Sequence, residues 1–438
     1  MIERLQSMFR IPELRRRILF TLSLLLIYRL GGHILLPGVD PTALASFMES
    51  NTKGTLVGLY DVFVGGSLSK ATIFALGIMP YISASIVFQL LGAVIPYFEK
   101  LQKEGEEGRR KITQYTRYAT VPLCMFQAIG VATFLQNMNA SGRAVVPHPG
   151  LPWVLLCMAT LTAGTTFIMW LGEQITERGI GNGISLIIFI GIVARFPNDI
   201  INTIRAAMAG TASPFTLVPI GIVMVVVIAV VVAMTQATRK IPVQYAKRIV
   251  GRKMYGGQST HIPLRVNTAG VIPIIFAQSI LLIPGTVALF AKDNPIALSI
   301  KTMFSPPHPV YLILYGLGIV FFTYFYTAVV LNPVDLADNM KKYGGFIPGV
   351  RPGKKTAEYV DRVLTRITLP GAIFLALIAV LPDIMVYKMN MPFYFGGTSL
   401  LIVVGVALDT LQQIESHMLM RHYEGFMKRG KMRGRRTA

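Results

Sequence analysis

The chain has 438 residues, 53% of them hydrophobic and only 14% charged, against about 25% charged in an ordinary soluble domain. It carries 42 Lys and Arg against 21 Asp and Glu, a formal charge of +21. Apolar runs of membrane-spanning length recur along most of it, which argues against a soluble enzyme and for a polytopic helical membrane protein.

Residues 1–17 form a basic segment with no cleavable signal pattern, because the first apolar run is too long for a signal-peptide core and lacks a cleavage site. A first half, 18–201, holds predicted spans at 18–36, 73–95, 118–135, 152–172 and 182–201. A second half, 202–414, holds spans at 215–234, 268–290, 310–331, 367–386 and 397–414, followed by a basic tail, 415–438. Most approach the roughly 20 residues that a bilayer core requires. The runs are too long, and too lacking in alternation, for barrel strands. Taking the connecting segments on alternate sides, 33 Lys and Arg fall on one side and 7 on the other, with Arg29 and Arg195 inside predicted spans. The positive-inside rule then places both termini in the cytoplasm, in agreement with an even number of spans.

Between spans one and two, Gly58 to Ala71 is too short to cross a bilayer. Glycines allow it to hinge and fold back into a cavity; an interfacial helix or a surface loop is the alternative. Span two contains Gly77-Ile78-Met79-Pro80-Tyr81-Ile82 and span seven contains Gly270-Val271-Ile272-Pro273-Ile274-Ile275. Each puts Gly three residues before Pro and Ile two after it. Spans two and seven are equivalent members of two five-span halves, and an odd number of spans per half reverses orientation, so the echo predicts an inverted repeat with its path between the halves. Ile82 and Ile275 would then face one another near the axis.

Gly179-Ile180-Gly181-Asn182-Gly183-Ile184-Ser185 opens span five. A glycine-rich turn at a helix N-terminus can bind anions, but without a preceding strand a tight turn with close helix contacts is the better reading. Two connecting segments, 235–267 and 332–366, carry seven basic residues each. Positive-inside bias accounts for any one of these residues, but the length of the pair favours a docking surface for RNA or an acidic protein face.

The remaining chemistry is sparse. Cys124 and Cys157 fall inside apolar segments and read as packing residues. The six histidines lack zinc-protease spacing, so no metal site or other cofactor is expected. Gly353-Lys354-Lys355 lacks both the Ser or Thr and the first Gly of a P-loop. Arg29, Asp383 and Asp409 stand out among the ionisable residues inside the predicted spans. A secondary transporter coupled through Asp383 or Asp409 is therefore the alternative class. An intramembrane enzyme ranks last, for want of paired carboxylates, a zinc motif or a Ser-His arrangement.

The segment Phe74-Ala75-Leu76-Gly77-Ile78-Met79-Pro80-Tyr81-Ile82-Ser83-Ala84-Ser85-Ile86 closely resembles the second span of the SecY family of protein-conducting channels. So do Glu104 to Ile112 with Arg117-Tyr118, Trp170 to Ser185, Gln258 to Leu264, Phe346-Ile347-Pro348-Gly349-Val350-Arg351-Pro352-Gly353, and Pro392 to Ile402. The blocks run in order along nearly the whole chain.

The resemblance implies ten helices in two inverted halves, forming an hourglass pore through which unfolded polypeptide passes. It makes the segment after span one a plug, comprising Leu59, Tyr60, Asp61, Val62, Phe63, Val64, Gly65, Gly66, Ser67 and Leu68. It implies a pore ring of Ile78, Ile82, Ile184, Ile188, Ile275 and Ile402, and a lateral gate between spans two and seven, with Ser83, Gln89 and Gln278 as its polar residues. Basic docking positions would be Arg239, Lys240, Arg252, Lys253 and Arg351. The implied partners are the ribosome, the motor ATPase SecA, the membrane subunits SecE and SecG, the translocating chain and the lipid bilayer of the bacterial inner membrane. The plug departs from the family pattern: Tyr60-Asp61-Val62 and Val64 stand where many relatives carry a more polar Asn and Ser.

Overall fold

The computed structural model describes residues 11–51, 56–140, 143–208, 214–245, 248–250, 253–255, 259–288, 299, 302–304, 308–389 and 397–429. The chain is mainly helical, and each predicted span overlaps a helix. The first helices are α1 (Pro12–Gly31), α2 (Pro41–Asn51), α3 (Leu56–Phe63), α4 (Met79–Val94), α5 (Pro96–Lys103) and α6 (Glu106–Gln136). A short hairpin, β1 (Asn139–Ala140) and β2 (Arg143–Ala144), precedes α7 (Leu151–Arg178), α8 (Gly183–Val193), α9 (Phe196–Met208) and α10 (Pro214–Gln236). Strands β3 (Thr238–Tyr245), β4 (Arg248–Val250), β5 (Lys253–Tyr255) and β6 (Ser259–Arg265) lead to α11 (Ile272–Ala288), α12 (Pro309–Val330) and α13 (Pro333–Lys342). Strand β7 (Gly345–Phe346), α14 (Lys354–Met389) and α15 (Gly397–Arg429) complete the order.

Among the described residues, five stretches have the apolar length to cross a bilayer alone: Glu106–Gln136, Leu151–Arg178, Pro309–Lys342, Lys354–Leu381 and Thr398–Met418. The pair α4 and α5 adds a sixth if counted as one span, although it bends by 99° at Ile95. Pro96 causes the bend, since it supplies no N–H to continue the α4 ladder and disfavours helical geometry at Ile95, which is extended at ψ 121°.

The first span, placed at 18–36, already ends at Gly31, and two others also differ from the sequence reading. The span placed at 182–201 is not continuous: α8 ends at Val193, Ala194 and Arg195 turn, and α9 begins at Phe196. Pro197 supplies the break, because without an N–H it fits only the first turn of a new helix. The span placed at 73–95 starts only at Met79, after a run of turns.

That second boundary has a counterpart. Gly77 has φ +56° and Gly270 has φ +62°, the left-handed region that glycine enters without a Cβ penalty. In each case the helix starts two residues later, with proline as its second residue. The two echoed sequences thus fold into the same local device.

Two compact units are present. One comprises 1–52, 57–197 and 406–438, the other 53–56 and 198–405. In the first, α6 packs along α4 and α7, and the Arg117 guanidinium donates to Glu173 at 2.7 Å between α6 and α7. Leu14 and Ile180 are buried together, with Ile11, Ile18, Ile414 and Met418 around them. In the second, α12 packs against α11 and α14, and a three-stranded antiparallel sheet of order β6-β3-β7 joins the two basic connecting segments.

Candidate functional site

The segment after α2 begins as helix α3 and continues as consecutive turns to residue 78. Its side chains face inward: Tyr60, Asp61, Phe63, Val64, Ser67 and Leu68 are buried. The Tyr60 hydroxyl donates to the Leu76 carbonyl at 2.9 Å, and burial holds this phenol in its neutral form, pushing it far above its ordinary value. Asp61 is more unusual, a carboxylate only 5% exposed. One of its oxygens accepts the Ser69 N–H at 2.8 Å, and the other accepts from the Arg195 guanidinium at 3.0 Å, bridging 134 positions of sequence.

The segment lies against α8 at backbone range. A Cβ added to Gly65 would stand 2.7 Å from the Gly191 Cα, and Gly65 has φ +71°. Only glycine combines that dihedral with that approach. Val64 lies over Gly77, its Cγ1 3.0 Å from where a Cβ would be. Leu59 and Val62 are described in backbone only.

Of the six isoleucines assigned to a ring, Ile78, Ile82 and Ile188 are buried in the first unit, and Ile275 and Ile402 are buried in the second. Ile184 is partly exposed. Ile78 is the N-cap of α4 and Ile82 donates its N–H to the Ile78 carbonyl at 3.1 Å, so the two share the first turn after the Gly77 device. Ile275 occupies the matching position, its N–H bonded to the Val271 carbonyl at 3.3 Å. Val271 in turn packs on Gly405 of α15, one turn beyond Ile402.

Among the polar residues assigned to a gate, Ser83 is buried, and Gln89 donates along its own helix to the Ser85 hydroxyl at 3.2 Å. Gln278 is 1% exposed; its Oε1 accepts from the Tyr315 hydroxyl at 3.2 Å, while its Nε2 has no partner among the described residues.

The glycine-rich turn before α8 is fully committed. Thr21 Oγ1 accepts from Ile180 N–H, Gln413 Oε1 from Gly181 N–H and Thr176 Oγ1 from Gly183 N–H, while Asn182 Oδ1 caps Ile184 and Ser185. Its donors are therefore occupied by the protein itself, as a tight structural turn requires.

The two basic segments form one module. Ile241 and Val243 from β3, Leu264 from β6, Met340 from α13, Ile347 after β7, and Val360 and Leu364 from α14 make a single buried cluster. Register pairs Ile241 with Ile262, Lys240 with Pro263 and Gln244 with Phe346. Arg239 and Lys240 are exposed on β3. Arg351 is exposed on a turn in which Gly349 and Gly353 have φ +82° and +99°, and its carbonyl accepts from Thr356 Oγ1 at 2.9 Å. Arg252 lies outside the described residues, and Lys253 is described in backbone only, paired with Val250.

Sequence reasoning treated these segments as separate loops. The alternation of Ile241 with Val243 and Ile262 with Leu264 was the signal for strands. Sequence reasoning also passed over Gly191, and over Arg195, whose charge inside the predicted 182–201 span was the available signal. As for the transporter alternative, the Asp383 side chain lies outside the described set and Asp409 is exposed.

A family model described as SecY matches residues 72–411. The chain is 48% identical over 431 residues to the protein translocase subunit SecY of Aquifex aeolicus strain VF5, covering 98% of this chain and 100% of the relative. Among solved structures it is similar to one of a protein-conducting channel, with TM-score 0.64 and 18% identity over 91% of each chain. Another, with TM-score 0.63 and 18% identity, concerns a SecY plug domain that stabilises the closed state of the translocation channel and maintains a membrane seal. These structures share the fold.

Proposed function

The chain belongs to the SecY family, and from that premise we propose that it is the channel subunit of a bacterial protein translocase. It conducts unfolded secretory polypeptides across the inner membrane, with both termini in the cytoplasm. Apolar helices leave sideways between α4 and α11. The observation that carries this reading is the 60–68 segment: polar and charged residues folded inward, seated by glycine contact and held by one ion pair, in a chain whose other long elements are apolar helices.

In this reading Ile78, Ile82, Ile184, Ile188, Ile275 and Ile402 form an apolar constriction. Branched side chains narrow the path and disfavour a water column, so ions face a dehydration barrier while the channel is idle. A polypeptide parts them without any specific contact. Residues Leu59 to Leu68 act as the plug. Sorting needs no catalyst, because a segment of about 20 apolar residues gains free energy by entering lipid and a polar one does not. Ser83, Gln89 and Gln278 offer hydrogen-bonding groups along the gate, and the unpaired Gln278 Nε2 is a donor whose burial costs less once a partner reaches it.

The basic module serves as the docking platform for the ribosome and for SecA, with Arg239, Lys240, Arg252, Lys253 and Arg351 meeting phosphate or carboxylate. SecE and SecG are the membrane subunits that accompany it. The chain is a conduit and not an enzyme: work comes from its partners.

A photo-crosslinking residue placed at Ile275 tests the reading with a stalled, part-translocated secretory chain. Attachment at Ile275, Ile82 and Ile402, but not at exposed Ile283 on the same helix, is the expected result. An engaged chain that attaches at none of the three overturns it.

A further inference from the structure

We infer that the Asp61–Arg195 ion pair is an ionic latch that holds the 60–68 segment on α8 and sets how readily a polypeptide displaces it. The inference rests on the channel reading for its consequence, but the latch itself stands on geometry.

The other contacts that seat the segment are short-range and mainly apolar or neutral: Gly65 on Gly191, Val64 on Gly77, and the Tyr60 hydroxyl on the Leu76 carbonyl. Asp61 alone brings charge. Its backbone carbonyl accepts from Gly66 N–H within the segment and one carboxylate oxygen accepts from Ser69 N–H just after it, which fixes the carboxyl group as part of the turn. Its second oxygen is left to Arg195 on the turn that follows α8. The carboxylate therefore moves only when the whole turn moves, and its bond to Arg195 breaks in the same step.

The two partners are unequal. The Asp61 side chain is 5% exposed and Arg195 is 31% exposed. Orphaning a buried charge is far more costly than removing a pair in which both charges regain water. Loss of Arg195 should therefore unseat the segment more than loss of the Asp61 charge, because the first leaves a buried carboxylate and the second leaves a guanidinium that water can reach. Asp61→Asn retains an oxygen for Ser69 N–H and so removes the charge alone.

The test uses the full chain with its membrane subunits in vesicles. Leu68→Cys, buried in the parent, reports seating through its reaction with a water-soluble maleimide, against the buried Cys124 and Cys157 as background. Labelling should rise about tenfold with Arg195→Gln, less with Asp61→Asn, and remain near the parent rate with Arg195→Lys. The double variant Asp61→Asn/Arg195→Gln should label no faster than Arg195→Gln alone.

Parent-like labelling in both single variants, at parent-like yields of assembled complex, overturns the latch. So does an Arg195→Lys rate as high as that of Arg195→Gln, which would assign the effect to shape instead of charge. Ion leak is measured in the same vesicles. Faster labelling without added leak leaves the latch standing and removes the sealing role of the segment, so the two failures are distinguishable.

Discussion

The 60–68 segment and the basic module are both small and irregular, yet they are held in opposite ways. The module closes around its own apolar cluster, to which two strands, two helices and the turn before Arg351 each contribute. The segment is fastened by a glycine contact, a phenol and an ion pair, beside its buried Phe63, Val64 and Leu68. Burial distributed over many side chains gives a surface that keeps its shape under load, whereas a few separable contacts can be released together. The difference suits a platform and a displaceable element.

The sharpest way to break the comparison is Gly65→Val. A β-branched side chain at φ +71°, against a Gly191 Cα at 2.7 Å from the Cβ position, should cost the seated segment about 3 kcal/mol. Ion leak through purified channels should rise steeply. Gly66→Ala, at φ +82° but with only Ser69 Oγ nearby at 3.9 Å, should cost about 1 kcal/mol. Equal effects at the two positions would show that backbone freedom, not contact with α8, governs seating.

On the module side, Leu264→Ala should remove about 3 kcal/mol of local stability by leaving a cavity among Ile241, Val243 and Val360. Hydrogen exchange of β3 should accelerate and binding of ribosomes and SecA should weaken, with ion leak unchanged. A leak in this variant would mean that the module and the segment are not energetically separate.

A smaller effect is expected from Tyr60→Phe. It removes one neutral hydrogen bond to the Leu76 carbonyl and should loosen the segment by about 1 kcal/mol, read as a modest rise in Leu68→Cys labelling. No change would place the seating in the segment's other contacts.

The smallest effect concerns Glu358, whose carboxyl group is held below its ordinary value by a hydrogen bond from Lys355 Nζ at 3.0 Å. A lowered folded value stabilises above the unfolded value and is lost as pH falls through the folded one. Because the pair is exposed, the module's thermal midpoint should not change between about pH 5 and 8. Lys355→Ala should move the Glu358 titration, followed by NMR, upward toward that of a free glutamate, with Lys354 and Arg362 still holding it down.

Much of the fold was legible because membrane helices are specified locally. The ten apolar segments each overlap a helix, since a long apolar run in lipid must satisfy its own backbone. The echo at Gly77 and Gly270 was equally legible as a repeated sequence, and both glycines take a left-handed φ two residues before a helix start. The break in the 182–201 segment was also written in the sequence, at Pro197, but apolar composition outweighed a single proline in placing the span. The strands of the basic module were obscured by their short length and by the lysines and arginines on their exposed positions.

The sequence by itself determined which segments are helical and apolar, where the chain turns, and which surfaces are basic, because hydrophobicity, backbone dihedral preference and charge are properties of a residue and its near neighbours. Only the tertiary structure decided that β3 and β6 share one core with α13, Ile347 and α14, that Gly65 meets Gly191, and that Asp61 meets Arg195. Those contacts join positions as much as 134 residues apart. Pairing at that range depends on how packed helices place their ends, and no local pattern records it.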